Sequence, residues 1–394
     1  MAKRQRIEVE ATEVESERNE AGRVYAAFAG FAQSECGAIA AMEAKVARIA
    51  PALLALLPTQ QLRTRFAALT ACAQKNADFV AEVLRFAQEV GVVAGGEDDD
   101  VDLAGCEGAV DELRAVLHSL VREWSAEGAV ERRQIFRVLV EELAARVPLG
   151  APSSDDEEGA SERSPPRVLV PGSGLGRLPA EISVAGYDVV ASELSLQMLL
   201  VAGFVANCTS VEDGAVYEVH PFIHQRGNHK SDADQLRAVT FPDVSPHLLL
   251  GDTPFPTVAG DFLKHFGADC ANAAEEHGAW DAVVTCFFID TAPCVLEYID
   301  AIHRLLAPGA AWLNFGPLLF HWAHPDPDED ASDERFARSL ELPWCTVRAA
   351  IIARGFEIVK EEWRSTAYTE NVKSMMQTNY ECIFFVAVKQ DAER

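Results

Sequence analysis

The chain predicts an α/β fold: a mainly parallel sheet with helices on both faces, closed by an antiparallel pair at its C-terminal edge and preceded by an α-helical region. Three observations carry this. From Arg167 onward, β-branched runs alternate with helical periodicity, and such alternation builds parallel strands joined by crossover helices. The stretch Arg167-Val-Leu-Val-Pro-Gly-Ser-Gly-Leu-Gly-Arg177 reads as strand, glycine turn and helix start. Before it, apolar residues recur only at the three- and four-residue spacing of amphipathic helices.

Residues 1–20 are charged and lack periodic apolar positions, so they are expected to be a disordered tail. Residues 21–150 form the helical region. Its stripes are Ala26, Phe28, Phe31 and Ala32, then Leu53, Leu54 and Leu57, then Phe79, Val83 and Phe86; after a solvated loop at Asp98-Asp-Asp they resume at Val110, Leu113, Leu117, Leu120 and Val121, and at Ile135, Val138, Leu139 and Leu143. Residues 151–166 are small, acidic and bracketed by prolines, the composition of a linker. In 167–394 the strongest strands are Val168–Val170, Asp188–Ala191, Trp280–Phe288, Ala311–Phe315 and Cys382–Val388, with helices at 177–185, 195–206, 294–306 and 344–354. Phe356–Glu362 pairs with the last strand as an edge hairpin.

Composition narrows the function. With 394 residues, 49% of them apolar, the chain can bury a sizeable core. Its net charge of −27 argues against a nucleic-acid backbone as partner, because binding phosphates needs a basic surface. Small or cationic substrates remain open. No apolar run reaches the roughly 18 residues of a membrane span, and Met-Ala-Lys-Arg-Gln-Arg is followed by no signal core, so a cytoplasmic protein is expected, with a nuclear address around Arg4 as the alternative. The nine cysteines include no C-x-x-C pair and the ten histidines no zinc-binding pattern; reduced cysteines and no metal are expected.

The glycine turn carries the chemistry. Gly172, Gly174 and Gly176 let backbone approach a ligand where a Cβ would clash. Glu193 ends the next strand, where an acid can accept both ribose hydroxyls of an adenosyl cofactor. A dinucleotide fingerprint spaces its glycines G-x-G-x-x-G to hold a pyrophosphate, whereas here the spacing is G-x-G-x-G. That favours a cofactor without phosphates, S-adenosyl-L-methionine.

Ligands of such sheets bind beyond the carboxyl ends of the strands. There the sequence places Asp290, which ends the run from Trp280, and Gly316, which ends the next. A carboxylate after a hydrophobic strand faces a cleft or is hydrogen-bonded; Asp290-Thr-Ala-Pro also reads as a helix N-cap, and the sequence leaves both open. His321 follows a strand end, Tyr380 enters the last strand, and Arg122 lies on an amphipathic helix. Each also has an ordinary structural reading.

Val170-Pro-Gly-Ser-Gly-Leu-Gly-Arg-Leu, Glu193-Leu-Ser, Cys286-Phe-Phe-Ile-Asp-Thr-Ala, Asn314-Phe-Gly-Pro-Leu-Leu-Phe-His and Tyr380-Glu-Cys, in that order, resemble the carnosine N-methyltransferase family. The resemblance extends upstream through Val121-Arg-Glu-Trp-Ser-Ala-Glu-Gly to about Phe66. It implies a class I S-adenosylmethionine-dependent methyltransferase domain, with a helical region that helps cover the cofactor, acting on a histidine-containing dipeptide. Matched residue by residue, it implies cofactor binding by Arg122, Gly172, Glu193 and the pair Asp261-Phe262, and dipeptide binding by Asp290, His321 and Tyr380. Two positions depart: Ser119 stands where the family pattern has Gln, and His277 where it has Cys. A histidine within a protein is the alternative acceptor, and a second copy of the chain a candidate partner. A non-catalytic cofactor-binding scaffold is a third reading.

Overall fold

The computed structural model describes residues 2–93, 106–149, 164–250, 255–325 and 333–391. The expected loop at Asp98, nearly all of the acidic linker and all but the first residue of Pro325-Asp-Pro-Asp-Glu-Asp, an acidic insert that the sequence also reads as a surface loop, lie outside them.

Seven strands form one sheet: β1 (Arg167–Pro171), β2 (Asp188–Glu193), β3 (Thr257–Ala259), β4 (Trp280–Cys286), β5 (Leu306–Gly316), β6 (Phe356–Thr366) and β7 (Tyr380–Lys389). Their order is β3-β2-β1-β4-β5-β7-β6. All neighbours from β3 to β5 pair in parallel, whereas β7 is antiparallel to both β5 and β6. This is the class I methyltransferase sheet. The expected C-terminal pair is present, with β7 inserted between β5 and the edge strand β6.

The central strands are buried on both faces, which explains their near-continuous apolar sequence. Alternate residues divide between two cores. Leu169, Val283, Trp312 and Phe385 pack with Val295, Ile299 and Ile302 of the helix Val295–Leu305 and with Val347 and Ile351 of the helix Trp344–Arg354. Val168, Val170, Val284, Leu313 and Phe384 pack with Phe136, Leu139 and Leu143 of the helix Phe136–Arg146 and with Leu178 and Ile182 of the helix Arg177–Val184. Each such buried side chain contributes about 1.5–3 kcal/mol. Polar stitching runs through the middle: the fully buried Trp312 donates its indole N–H to Thr285 Oγ1 (2.9 Å), Thr285 donates to Asn314 Oδ1 (2.9 Å), and Asn314 Nδ2 donates to the carbonyl of Ile383 (3.2 Å). Asn314 therefore joins strands rather than facing a ligand.

The chain divides into two compact units whose boundaries do not follow the linear order expected from the sequence. One comprises residues 1–127, 196–243 and 369–377; the other comprises 128–195, 244–368 and 378–394 and holds the sheet. Residues 128–149 join the sheet unit because Phe136, Leu139 and Leu143 belong to its core. The helix Leu196–Cys208 joins the helical unit because Phe204 meets Phe79 edge-on at 5.7 Å, within the long helix Thr59–Glu89. The first helix runs Ala2–Val46, so the stretch 2–20 expected to lack order is helical. Its Ala, Glu, Arg and Gln content suits a helix even without an apolar stripe.

Candidate active site

The parallel register of β1 and β2 sets Pro171 beside Ser192, so the glycine turn and the acid at the end of β2 emerge together. Gly172, Gly174 and Gly176 all take left-handed backbone, with φ of 66°, 56° and 82°. At Gly172 the requirement is double, because a Cβ there would lie 2.5 Å from Cδ2 of Phe288. The Gly174 N–H donates to Glu193 Oε2 (2.8 Å) and the Ser195 N–H to Oε1 (2.9 Å). Burial holds the Glu193 carboxyl above its ordinary range, against the opposing pull of the Ser195, Gly174 and Leu194 amides. These amides fix the carboxylate beside the glycine turn, where an ionised acid can accept the hydroxyls of a ribose.

After β3, Asp261 Oδ1 accepts the N–H groups of Leu263 (2.8 Å) and Lys264 (3.1 Å), capping the helix Phe262–Phe266. The N–H of Gly260 donates to the carbonyl of Glu193, which ties this cap to the acid. Phe262, 4% exposed, meets Phe288 edge-on at 5.4 Å and Tyr298 edge-on at 5.1 Å, while Phe288 and Tyr298 stack at 4.8 Å. Burial keeps the Tyr298 phenol neutral, with Asp261 and Glu193 pushing the same way. Phe288 and Tyr298 thus complete an aromatic wall beside the glycine turn, and neither was singled out from the sequence.

β4 ends at Cys286, earlier than the sequence suggests, and Phe287 turns left-handed with φ of 51°. Asp290 therefore sits in a 3-10 turn, Ile289–Thr291, rather than on the strand, and is 2% exposed. The N-cap reading fails: the helix Val295–Leu305 starts at Cys294 without a side-chain cap. Asp290 Oδ2 instead accepts the N–H of Leu319 (2.8 Å), and its carbonyl accepts the N–H of His321 (3.0 Å). Burial raises the Asp290 carboxyl above the usual range, with the Leu319 amide and His321 opposing. So Asp290 and His321, far apart in sequence, meet at adjacent strand ends. The side chain of His321 is exposed. Tyr380, half-buried at the start of β7, meets Phe287 edge-on at 6.2 Å, and Phe287 stacks on Tyr368 at 4.3 Å. These rings form a second aromatic group around Phe287, three residues before Asp290. Phe287 lay within the Cys286-Phe-Phe-Ile-Asp-Thr-Ala motif without a role of its own, and Tyr368 had no signal beyond being aromatic.

The carnosine N-methyltransferase family model matches residues 102–391. A carnosine N-methyltransferase of Dictyostelium discoideum is 40% identical over 286 residues, 71% of this chain and 55% of the relative. One of Rattus norvegicus is 38% identical over 285 residues, 71% of this chain and 63% of the relative. One of Schizosaccharomyces pombe is 34% identical over 283 residues, 72% of each. The chain belongs to the carnosine N-methyltransferase family. It spans 55% and 63% of the lengths of the first two relatives.

Of three further residues that the family resemblance concerns, one lies in the sheet unit and two in the helical unit. His277 follows the short helix Ala273–Glu276 and precedes β4, so the seven residues of that strand, roughly 20 Å, separate it from the end where Asp290 lies. The structure does not bring it to the glycine turn. Ser119 and Arg122 lie on the helix Glu107–Trp124 of the helical unit, both buried, with an Arg122 guanidinium nitrogen 3.8 Å from Glu123 Oε1. Among the described residues no group of three or more His, Cys, Asp or Glu is arranged for a metal, and no helix is long and apolar enough to cross a membrane.

Proposed function

We propose that the protein is an S-adenosylmethionine-dependent N-methyltransferase that methylates the imidazole of a histidine-containing dipeptide, turning carnosine into anserine. The observation that carries this reading is the buried Asp290 carboxylate, held on one side by the Leu319 amide, with the His321 N–H on its backbone carbonyl and the ring group of Phe287, Tyr368 and Tyr380 built around a residue three positions before it. Family membership supports carnosine as the substrate.

S-adenosylmethionine supplies a methyl carbon already activated by its sulfonium. The residues of this chain supply position and a proton acceptor. Gly172, Gly174, Glu193 and the Phe262–Phe288–Tyr298 wall hold the adenosyl end, with Asp261 fixing Phe262; the resemblance adds Arg122, whereas Ser119 lacks the side chain of the Gln in the family pattern. A neutral imidazole has one lone-pair nitrogen and one N–H. When the N–H far from the side-chain stem donates to Asp290, the lone pair is left on the nitrogen nearest the stem. Methylation there makes a cation, which Asp290 stabilises and then discharges by taking the far proton. A carboxyl raised by burial is better matched to that proton than an ordinary aspartate. With free imidazole titrating near about 6.5, most substrate is neutral at pH 7, so no strong base is needed. His321 and Tyr380 orient the ring or the dipeptide backbone.

The same site chemistry would serve a histidine in a flexible protein loop. Methyl transfer from labelled S-adenosylmethionine to carnosine, to free histidine and to a protein extract, compared side by side, tests the proposal. Carnosine as the preferred acceptor supports it; label confined to protein would replace the dipeptide with a protein histidine, and cofactor binding without any transfer would leave a scaffold.

A further inference from the structure

The turn that carries Asp290 is fastened from outside its own strand. Three hydrogen bonds tie residues 289–291 to the loop after β5: Leu319 N–H to Asp290 Oδ2 (2.8 Å), His321 N–H to the Asp290 carbonyl (3.0 Å), and Trp322 Nε1–H to the Thr291 carbonyl (3.0 Å). Between the two amides sits Phe320, left-handed with φ of 52° although it is not glycine, and 7% exposed. A bulky residue is held in that region only when its surroundings fix it. Trp322 is itself clasped, with Phe336 edge-on at 5.0 Å and the Arg335 guanidinium 4.0 Å from its ring centroid. Arg335 is pinned in turn by Asp333 at 2.6 Å.

We propose that Trp322 is a positioning residue for Asp290: its indole N–H latches the 319–322 loop onto the carbonyl that follows the aspartate and so keeps the Leu319 amide on the carboxylate. The catalytic consequence rests on the reading of Asp290 as proton acceptor; the latch does not. An amide donating to a carboxylate favours its ionised form, so loosening the latch makes Asp290 hold its proton to higher pH. The other titratable groups facing Asp290 are His321, from the same loop, and Cys382, from β7. Burial first, then Cys286 and Asp290, push the Cys382 thiol up to about 12, so it stays neutral throughout the range concerned.

The test is Trp322→Phe in the full chain, which removes the N–H and keeps an aromatic ring for Phe336 and Arg335. Protein labelled with 13C at the aspartate carboxyls, with the Asp290 resonance assigned by its loss in Asp290→Asn, gives the titration directly. The Asp290 midpoint should rise by roughly half a pH unit or more. In turnover, kcat should fall about tenfold or more with little change in KM, and the acid limb of the pH profile should move upward with the midpoint. If Trp322→Phe does not fold, benzothienylalanine at 322 replaces only the N–H by sulfur. An unmoved midpoint overturns the latch, whether or not the melting temperature falls. Should neither protein methylate carnosine, the titration still decides the latch, while the functional reading fails on its own.

Discussion

Asp290→Asn separates the chemistry of this residue from its place in the fold. Asn keeps the size and an oxygen that can still accept the Leu319 N–H now found 2.8 Å away, and the carbonyl that accepts from His321 is untouched. The turn should therefore survive, and the melting temperature should change little. What disappears is the negative charge and the capacity to take a proton. Loss of a charge-assisted interaction made mainly in the transition state costs about 2–4 kcal/mol, or roughly 30- to 1000-fold in rate. Single-turnover methylation of carnosine at saturating S-adenosylmethionine reads this directly, because product release and cofactor affinity drop out. A variant that methylates at near the wild-type rate would refute the role given to Asp290, since the site has no second carboxylate placed to replace it among the described residues contacting Leu319 and His321.

Three further outcomes follow from the geometry. Glu193→Ala should weaken S-adenosylmethionine at least tenfold by calorimetry, because a hydrogen bond to a charged group contributes about 1.5–3 kcal/mol; unchanged affinity would remove Glu193 from the cofactor site. Gly172→Ala should lower the melting temperature and abolish cofactor binding, since its Cβ would meet Phe288 at 2.5 Å in a left-handed position that costs about 1–3 kcal/mol; normal binding would mean that the turn does not cradle the ligand. Acid should destabilise the protein below about pH 6.5 through partly buried neutral histidines. Burial first, and the neighbouring positive charges next, lower His224 to about 3 and His303 to about 4. The unfolded chain therefore binds protons that the folded one refuses, and stability present above the unfolded value is lost as pH falls towards 4. For the partly buried His224 this amounts to about 1–2 kcal/mol at pH 5 after solvent screening. His224→Gln should flatten the dependence of the urea midpoint between pH 7 and 5, and an unchanged slope would contradict the assignment.

The sheet and half of the site were legible in the sequence because their signals are local. β1, the glycine turn and Glu193 lie within one strand–turn–helix–strand unit whose residue types each require that conformation. The β6–β7 pair was legible for the same reason. What was not legible depends on contacts between distant segments. Phe287 and Phe320 sit at positive φ, which no aromatic residue advertises, and this is why β4 seemed to run on to Asp290 and why its tie to Leu319 could not be foreseen. His277 stands where the family pattern has Cys, and the strand it precedes carries the chain away from it to the other end of the sheet. The leucines at 53 and 57 have helical spacing, but the helix there is only Pro51–Leu54 and both are exposed. Unit boundaries were hidden as well, because the partner of Phe204 is Phe79, far upstream of the linker.

The most direct measurement is the position of the transferred methyl group. Carnosine incubated with the purified protein and S-adenosylmethionine carrying a 13C methyl, then examined by NMR through contacts between that methyl and the ring and stem protons, reports which nitrogen attacked. With Asp290 accepting the N–H farthest from the stem, the methyl must appear on the nitrogen nearest the stem, with cross-peaks to the stem methylene. Methyl on the far nitrogen, or none on carnosine at all, would contradict the account.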